Sequence, residues 1–515
     1  MHGAHGRGTN TSDGSLQKVG APRGKLAPNC RRDALAWRSA PLRISRPRLS
    51  APKDAHLLCD RARWRGDIGV RVQPISRPHL LKVPRHRSAT ATHRRSTAMS
   101  PYLQPEVLRS NLTDALDADA IAPNDALLLT GATGFVGMAL LARILERTNR
   151  RVVVLVRAAS QSEADARLAA LMSSVADSPG DSRDRVTAVR GDLTAPGLGL
   201  GRRRDWIAQH VSEIIHGAAS VSFNLSLSRS RSINVEGTRR LLALAHDCAE
   251  SGNGLRRMTY VSTAYVAGKR QGYAQESELE VGQGFRNAYE QSKHEAELLV
   301  HSERERLPLT IVRPSIVVGE RDTGWTSSFN VMYGPVRAAA AGALQVMPGR
   351  HDGVLDIVTV DYVADAILAL AASPKAHGGT FQIVAGEQAT TIGELSRLAA
   401  RRFNRRRPRL IPPRVYRSVV HPLRLRRANP DTRRRLRASE VYFPYMSLDL
   451  RFDDRLAREL LEPLGIRATP LSDCFDHLMD FAEAANWGRA PISRAETRDP
   501  ARTALRSPCP MEAVA

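Results

Sequence analysis

Between Asp125 and Arg147 the chain reads DALLLTGATGFVGMALLARILER, and no other stretch restricts its fold as much. The apolar run from Ala126 to Leu129 suits a strand covered on both faces, and after Met138 the residues Leu140, Leu141, Ile144 and Leu145 fall on one helical face. Gly131, Gly134 and Gly137 lie between the two. A strand that turns at once into a helix needs residues tolerant of unusual backbone angles, and it leaves the first amides of the helix without partners. Those amides and the helix dipole favour an anion such as a pyrophosphate. The spacing is G-x-x-G-x-x-G rather than G-x-G-x-x-G. With a strand before it and a helix after it, the turn reads as a nucleotide site in preference to a purely structural βα turn.

From residue 125 onward, strand-like runs alternate with helical patterns. RVVVLVRA (151–158), RVTAVRGDL (185–193), SEIIHGAAS (212–220), RRMTYVSTAYVAG (256–268) and LPLTIVRPSIVVGE (307–320) supply five further strands. NVEGTRRLLALAHDCAE is an amphipathic helix with Leu241, Leu242, Leu244 and Ala245 on one face. Such repeated βα units predict an α/β fold, a doubly wound parallel (Rossmann) sheet with right-handed crossovers. Its expected extent is 123–320, completed by 355–390, where VLDIVTVDYVADAILALAA and GTFQIVAGE read as a return to the sheet. Residues 321–354, read as a helix-rich insertion, and 391–489 form a smaller substrate-binding C-terminal region, and 490–515 a polar tail.

Charge is spread unevenly. Residues 1–98 hold 21 Lys and Arg against 5 Asp and no Glu, which is +16 of the chain's +24. This stretch lacks periodicity and aliphatic clusters, so a disordered extension is expected. It is also open to reading as an Arg-rich targeting sequence or nucleic-acid arm, or as sequence upstream of a true start at Met99. No sustained aromatic interleaving runs through these charges as nucleic-acid binding would want, and no nucleic acid is expected on the folded part. Residues 401–437 form a second Arg-dense stretch in which Leu410, Ile411, Val415, Tyr416, Val419 and Val420 alternate with the cations. It reads as a solvated helical face, as a peripheral contact with a membrane surface, or as cations for a phosphate-bearing substrate. The five cysteines, Cys30, Cys59, Cys248, Cys474 and Cys509, form no C-x-x-C pair, which fits a reducing compartment; no metal site is expected. No run reaches the roughly 18 apolar residues of a membrane span. A cytoplasmic protein, peripheral to a membrane at most, is the expectation.

In NAYEQSKHEAELLV, Tyr289 and Lys293 are four apart and share a helix face. An ammonium beside a phenol lowers a pKa of about 10, and a phenol so tuned exchanges a proton with an oxygen whose carbon is exchanging hydride. Ser262 and Thr263 stand at the expected carboxyl end of a strand, where open α/β sheets place their ligands, so a hydroxyl there can bond the reacting carbonyl oxygen. Arg157 ends the second strand with no acid beside it. An acid at that place binds a free ribose 2′-hydroxyl, whereas an arginine accommodates a 2′-phosphate, so NADPH is expected over NADH.

TGATGFVG, GDL, HGAAS, NVEGT, VSTAYVAG, YEQSK and VRPSIVVG occur in the order found in extended short-chain dehydrogenases/reductases. With VLVRA, GDLTAPGLGL, NAYEQSKHEAE, GERDTGW and DIVTVDYVADAI, the chain resembles their male-sterility branch of fatty acyl-CoA reductases and thioester-reductase domains. The resemblance covers about 125–390, and a fainter one through VYFPYMSLDLRFDD and PLSDCFDHLMDFAEAANWG extends it to about 488. It implies a catalytic set of Thr263, Tyr289 and Lys293, with Tyr289 as proton donor, Lys293 on the nicotinamide ribose and Thr263 orienting the substrate carbonyl. It implies further that Gly131, Thr133, Gly134, Phe135, Val136 and Gly137 cradle the pyrophosphate, and that Asp192 and Leu193 border the adenine. Ala218 and Ala219 would line the cofactor channel with Ser262 near its end, and Pro314, Ser315 and Ile316 would lie beside the nicotinamide.

The function so implied is NADPH-dependent reduction of an activated acyl group, an acyl-CoA or acyl-carrier-protein thioester, to the aldehyde or on to the alcohol, a step of lipid metabolism. The chain shows no adenylation or carrier segment, which favours free acyl-CoA. The same three residues also serve epimerisation of sugar nucleotides and oxidation of sterol-like alcohols. A non-catalytic NADP(H)-binding regulator is the third reading, and the presence of both Tyr289 and Lys293 weighs against it.

Overall fold

The computed structural model describes residues 125–176, 183–252 and 254–498, so residues 1–98, three of the cysteines and the end of the chain lie outside the described residues. Seven parallel strands form the central sheet: β1 (Ala126–Thr130), β2 (Arg151–Val156), β3 (Val186–Arg190), β4 (Val211–His216), β5 (Arg257–Val261), β6 (Leu309–Pro314) and β7 (Thr380–Ile383). Their spatial order is β7-β6-β5-β4-β1-β2-β3. The order reverses between β1 and β4, where Thr130 pairs with His216, and the crevice beyond this switch point is where such sheets bind ligands.

Helices cover both faces, which is why the strands are apolar without alternation. Leu127, Leu129, Val152 and Val154 face α1 (Phe135–Arg147), α2 (Gln161–Val175) and, later in the chain, Val360–Ala372. Leu128, Val153 and Leu155 face α3 (Arg203–His210), α4 (Leu227–Glu250) and α5 (Ala288–Ser302). The apolar face of α1 is sealed, with Leu140 and Leu141 at 0% exposure, and each such side chain contributes about 1.5–3 kcal/mol. The doubly wound sheet expected from the sequence is present.

Three details differ from the sequence reading. Only Thr380–Ile383 rejoins the sheet after residue 320; Ile357–Thr359 pairs with Ile316–Val318 in a separate ladder, and α6 (Val360–Ala372) is helical. Because α6 is buried almost all round, its apolar run carries no helical stripe to read. The stretch 321–354 is mostly irregular, with one helix at Tyr333–Ala340; it is anchored by Trp325, which is 1% exposed and 5.8 Å from the ring of Phe135. Nor do residues 490–498 trail as a tail. Arg494 is fully buried and donates to Glu320 at 2.5 Å and Glu146 at 2.5 Å, so an isolated cation in the sequence docks this segment on the sheet domain.

Beyond the sheet, α7 (Ile392–Arg402) and α8 (Leu471–Ala484) enclose a further core with Met332, Tyr333, Leu395, Phe475 and Leu478. Leu450–Phe452 pairs with Gly272–Ala274, which brings the C-terminal region to the carboxyl end of the sheet, above β5 and β6.

Candidate active site

At the end of β1 the chain turns through Gly131 at φ 83°, a backbone angle that suits glycine. A Cβ on Gly137 would stand 2.0 Å from the Gly131 carbonyl oxygen, so the first turn of α1 can approach the strand end only without a side chain there. The N-cap is Gly134, which is exposed; no side chain bonds the first turn of α1 and no acid lies in it. These amides fit an anionic group of the size and charge of a dinucleotide pyrophosphate. Thr133 and Gly134 are exposed on the turn, Phe135 and Val136 are half-buried, and Gly137 is buried beneath them. Ala218 and Ala219, half-buried after β4, form the opposite wall, where the Ala218 amide donates to Thr130 Oγ1 at 3.3 Å.

The Tyr289 helix starts at an asparagine cap, Asn287, whose side chain accepts from the Glu290 amide at 3.0 Å. Tyr289 is half-buried and its phenol lies beside the Thr263 hydroxyl. Thr263 itself is 4% exposed, lies at the end of β5 and donates to the Pro314 carbonyl at 3.3 Å. Burial pushes the Tyr289 phenol up to about 12, the Thr263 hydroxyl pulls it down, and the Glu290 carboxylate pushes it up. The expectation that Lys293 lowers this pKa is not met. Lys293 Nζ instead donates to the Tyr260 hydroxyl at 2.7 Å and the Val261 carbonyl at 2.9 Å, one helical turn deeper than the phenol. Burial brings its own pKa down to about 7, opposed by Glu297. A phenol with a raised pKa stays protonated, which suits a proton donor.

A hydrogen-bond chain holds Lys293 in place. Tyr260 lies beside Thr238, and Thr238 donates its single hydroxyl proton to the Asn234 carbonyl at 2.6 Å. The Thr238 oxygen is then an acceptor for His216 Nε2 at 3.2 Å, which leaves Nδ1 to accept from Thr130 Oγ1 at 2.8 Å. Burial, and then Lys293, push the His216 imidazole down to about 3, which keeps it neutral near neutral pH. One turn beyond Lys293, Glu297 accepts from Arg313 at 2.9 and 2.6 Å and from Ser262 Oγ. Although its burial alone would raise the pKa, Arg313, His301 and Ser262 hold this carboxylate down at about 2. Ser262 is thereby committed to the pair and is buried at 6% exposure. The sequence reading missed His216, Tyr260, Glu297 and Arg313; the only signal was Glu297 standing four residues after Lys293, as Lys293 stands after Tyr289.

An aromatic wall flanks the phenol. Phe223 lies 5.8 Å from the Tyr289 ring, 5.9 Å from Tyr442 and 5.5 Å from Tyr445, stacked on the last. Tyr445 donates to Glu290 at 2.5 Å, which ties the wall to α5. Phe223, Tyr289 and Tyr442 are each half-buried and present ring surface beside the hydroxyl pair.

The remaining expected cofactor residues lie along the carboxyl ends of the strands. Arg157 is exposed after β2, and its charge helps to hold Asp192 low. Asp192 accepts from both the amide and the hydroxyl of Thr194 at 2.8 Å; the side chain of the adjacent Leu193 packs against Gly237. Pro314 ends β6 and Ser315 and Ile316 follow it, with Pro314 and Ser315 buried and Ile316 half-buried.

Residues 129–367 match the family described as male sterility protein. Fatty acyl-CoA reductase 1 of Mus musculus is 31% identical over 281 residues, 48% of this chain and 54% of the relative. Isonitrile lipopeptide synthase of Streptomyces coeruleorubidus is 34% identical over 249 residues, 48% of this chain and 16% of that much longer protein. The chain spans about half the length of the acyl-CoA reductases it matches. Among solved structures, the terminal R domain of the myxalamid PKS-NRPS pathway superposes with a TM-score of 0.62 at 27% identity, covering 74% of this chain and 100% of that domain.

Proposed function

As this chain belongs to the male-sterility type of extended short-chain dehydrogenases/reductases, a family of NAD(P)-dependent oxidoreductases, we propose that it is an NADPH-dependent reductase of acyl thioesters. The observation that carries this reading is the Tyr289 phenol, set beside the Thr263 hydroxyl and an apolar aromatic wall, at the same sheet end as the bare α1 N-terminus. Acyl reduction is also what the names of the matched acyl-CoA reductases describe.

The α1 amides would hold the pyrophosphate, and Arg157 the 2′-phosphate, because the nearby Asp192 carboxylate is occupied by Thr194. When bound, the reduced nicotinamide supplies a hydride to the thioester carbon. Tyr289 donates its proton to the carbonyl oxygen, and Thr263 orients that oxygen and stabilises its developing charge. As the carbon–sulfur bond breaks, the carbonyl re-forms and the oxygen's proton returns to Tyr289. The departing sulfur takes a proton from solvent, giving thiol and aldehyde. A second reduction of the aldehyde by the same residues gives the alcohol. The Phe223 and Tyr442 rings offer apolar surface to the first carbons of the acyl chain.

NADPH consumption with an acyl-CoA series, followed by product analysis, tests this. Tyr289→Phe is expected to lower kcat by roughly 10²–10⁴-fold while leaving NADPH binding intact. Protein that binds NADPH yet consumes none with any acyl-CoA or carrier-bound acyl group, or that turns over equally well as Tyr289→Phe, overturns the proposal. Turnover of a sugar nucleotide under those conditions would install the epimerase reading in its place.

A further inference from the structure

The arginine-dense segment is a pair of helices with an apolar row left in the open. From Pro413 to Arg427 the chain is helical throughout, with a π-helical turn over Tyr416–Val420, and a second helix runs from Pro430 to Ser439. One side of the first helix is packed. Tyr416 and His421 are 3% and 4% exposed, and both rings meet Phe443 edge-on. The other side carries Val415, Val419 and Leu423, successive residues four apart and therefore on one face, at 47%, 60% and 45% exposure. They are among the few large apolar side chains so exposed in the described part of the chain.

Cations frame this row. Arg414, Arg417, Arg426 and Arg427 are exposed on the same helix, and Arg434 and Arg435 on the next. None of these six has an acidic partner among the described residues, and Asp431 is the one acid between Arg401 and Ser439. The two helices are clamped together, since Arg433 donates to the carbonyls of Leu425 and Ala428 at 3.0 and 3.1 Å. Such a rigid basic hairpin with an aliphatic row suits a surface that is anionic outside and apolar just beneath. It carries no exposed aromatic ring, as stacking on nucleic-acid bases would require.

We propose that the hairpin 413–439 docks the protein on an anionic lipid bilayer, with Val415, Val419 and Leu423 inserted between headgroups and the arginines on lipid phosphates. No helix among the described residues is long and apolar enough to cross a membrane, so the contact lies in the interface plane. The chain leaves the hairpin directly into Tyr442 and Tyr445, the rings of the wall beside Tyr289. The docking surface stands without the thioester-reductase reading; together, they would bring acyl groups held at the bilayer to the aromatic wall.

The test is sedimentation of the full chain with phosphatidylcholine vesicles, with and without phosphatidylserine, and no acyl substrate present. The basic residues 1–98 are retained in every protein, so the informative variant is Val415→Ser/Val419→Ser/Leu423→Ser, which leaves the charge unchanged. Partition onto phosphatidylserine vesicles is expected to weaken roughly tenfold in this variant, with an unchanged unfolding midpoint. The fluorescence that a Val419→Trp substitution adds to the wild-type signal should be quenched by brominated lipid. Undiminished binding of the triple variant, or added fluorescence that brominated lipid leaves unquenched, overturns the proposal. So does failure of the wild type to bind vesicles while it binds an acidic carrier-protein domain through the hairpin.

Discussion

At the carboxyl end of the sheet the charged groups are buried and each has a partner: Lys293 on Tyr260, Glu297 on Arg313, Glu290 on Tyr445. On the hairpin 413–439 the charges are exposed and mostly unpaired within the chain, and the apolar residues beside them are exposed as well. The first region is organised for fixed geometry, because a buried ion keeps its place only where its bonds are complete. The second is organised for contact, since nothing in the described chain answers its charge. A high net positive charge therefore says little about the surroundings of Tyr289, where the buried groups are neutral or mutually paired.

If that contrast is sound, substitutions in the two regions should separate by orders of magnitude in their effect on the folded protein. Gly137→Ala should have the broadest effect, on stability and on nucleotide binding at once: a methyl 2.0 Å from a backbone oxygen has no flexible neighbour to displace. The expectation is a loss of about 3 kcal/mol together with loss of nucleotide binding, read by denaturant unfolding and by a cofactor titration. A stable Gly137→Ala protein that still binds NADPH would break the account of the turn.

Glu297→Gln leaves the buried Arg313 charge uncompensated and should cost about 3–5 kcal/mol. It should also remove an acid dependence. With its folded pKa held down at about 2 from an ordinary 4.5, Glu297 contributes stability that is present above pH 4.5 and lost as the pH falls through about 2. Thermal unfolding across that window should slope for the wild type and flatten for the variant; parallel curves would mean that the pair is not what holds the helix to β6. The smallest effect belongs to the hairpin, where Arg434→Gln/Arg435→Gln should change the unfolding free energy by less than about 0.5 kcal/mol. A larger loss would show that these arginines serve the fold after all.

Much of the sheet was legible because its determinants are local. Continuous apolar runs marked β1 and β2, and three glycines marked the turn between β1 and α1. Helical spacing placed Tyr289 and Lys293 on one face, and the structure keeps them on α5. The same spacing could not tell where the ammonium goes, and Lys293 turned inward to Tyr260 on another element. The helix Val360–Ala372 defeated pattern reading because burial on all sides removes the polar face that reveals a period.

Sequence by itself therefore determined the alternation of strands and helices, the bare glycine turn before α1 and the shared helix of Tyr289 and Lys293, since each rests on neighbours within one or two turns of chain. Tertiary structure alone decided which of those residues meet. Tyr445 reaches Glu290 across 155 positions, and Arg494 is buried between Glu146 and Glu320 from a stretch that reads as polar tail. An ion or a ring acquires its partner from whatever the fold packs against it, and no local pattern encodes that neighbour.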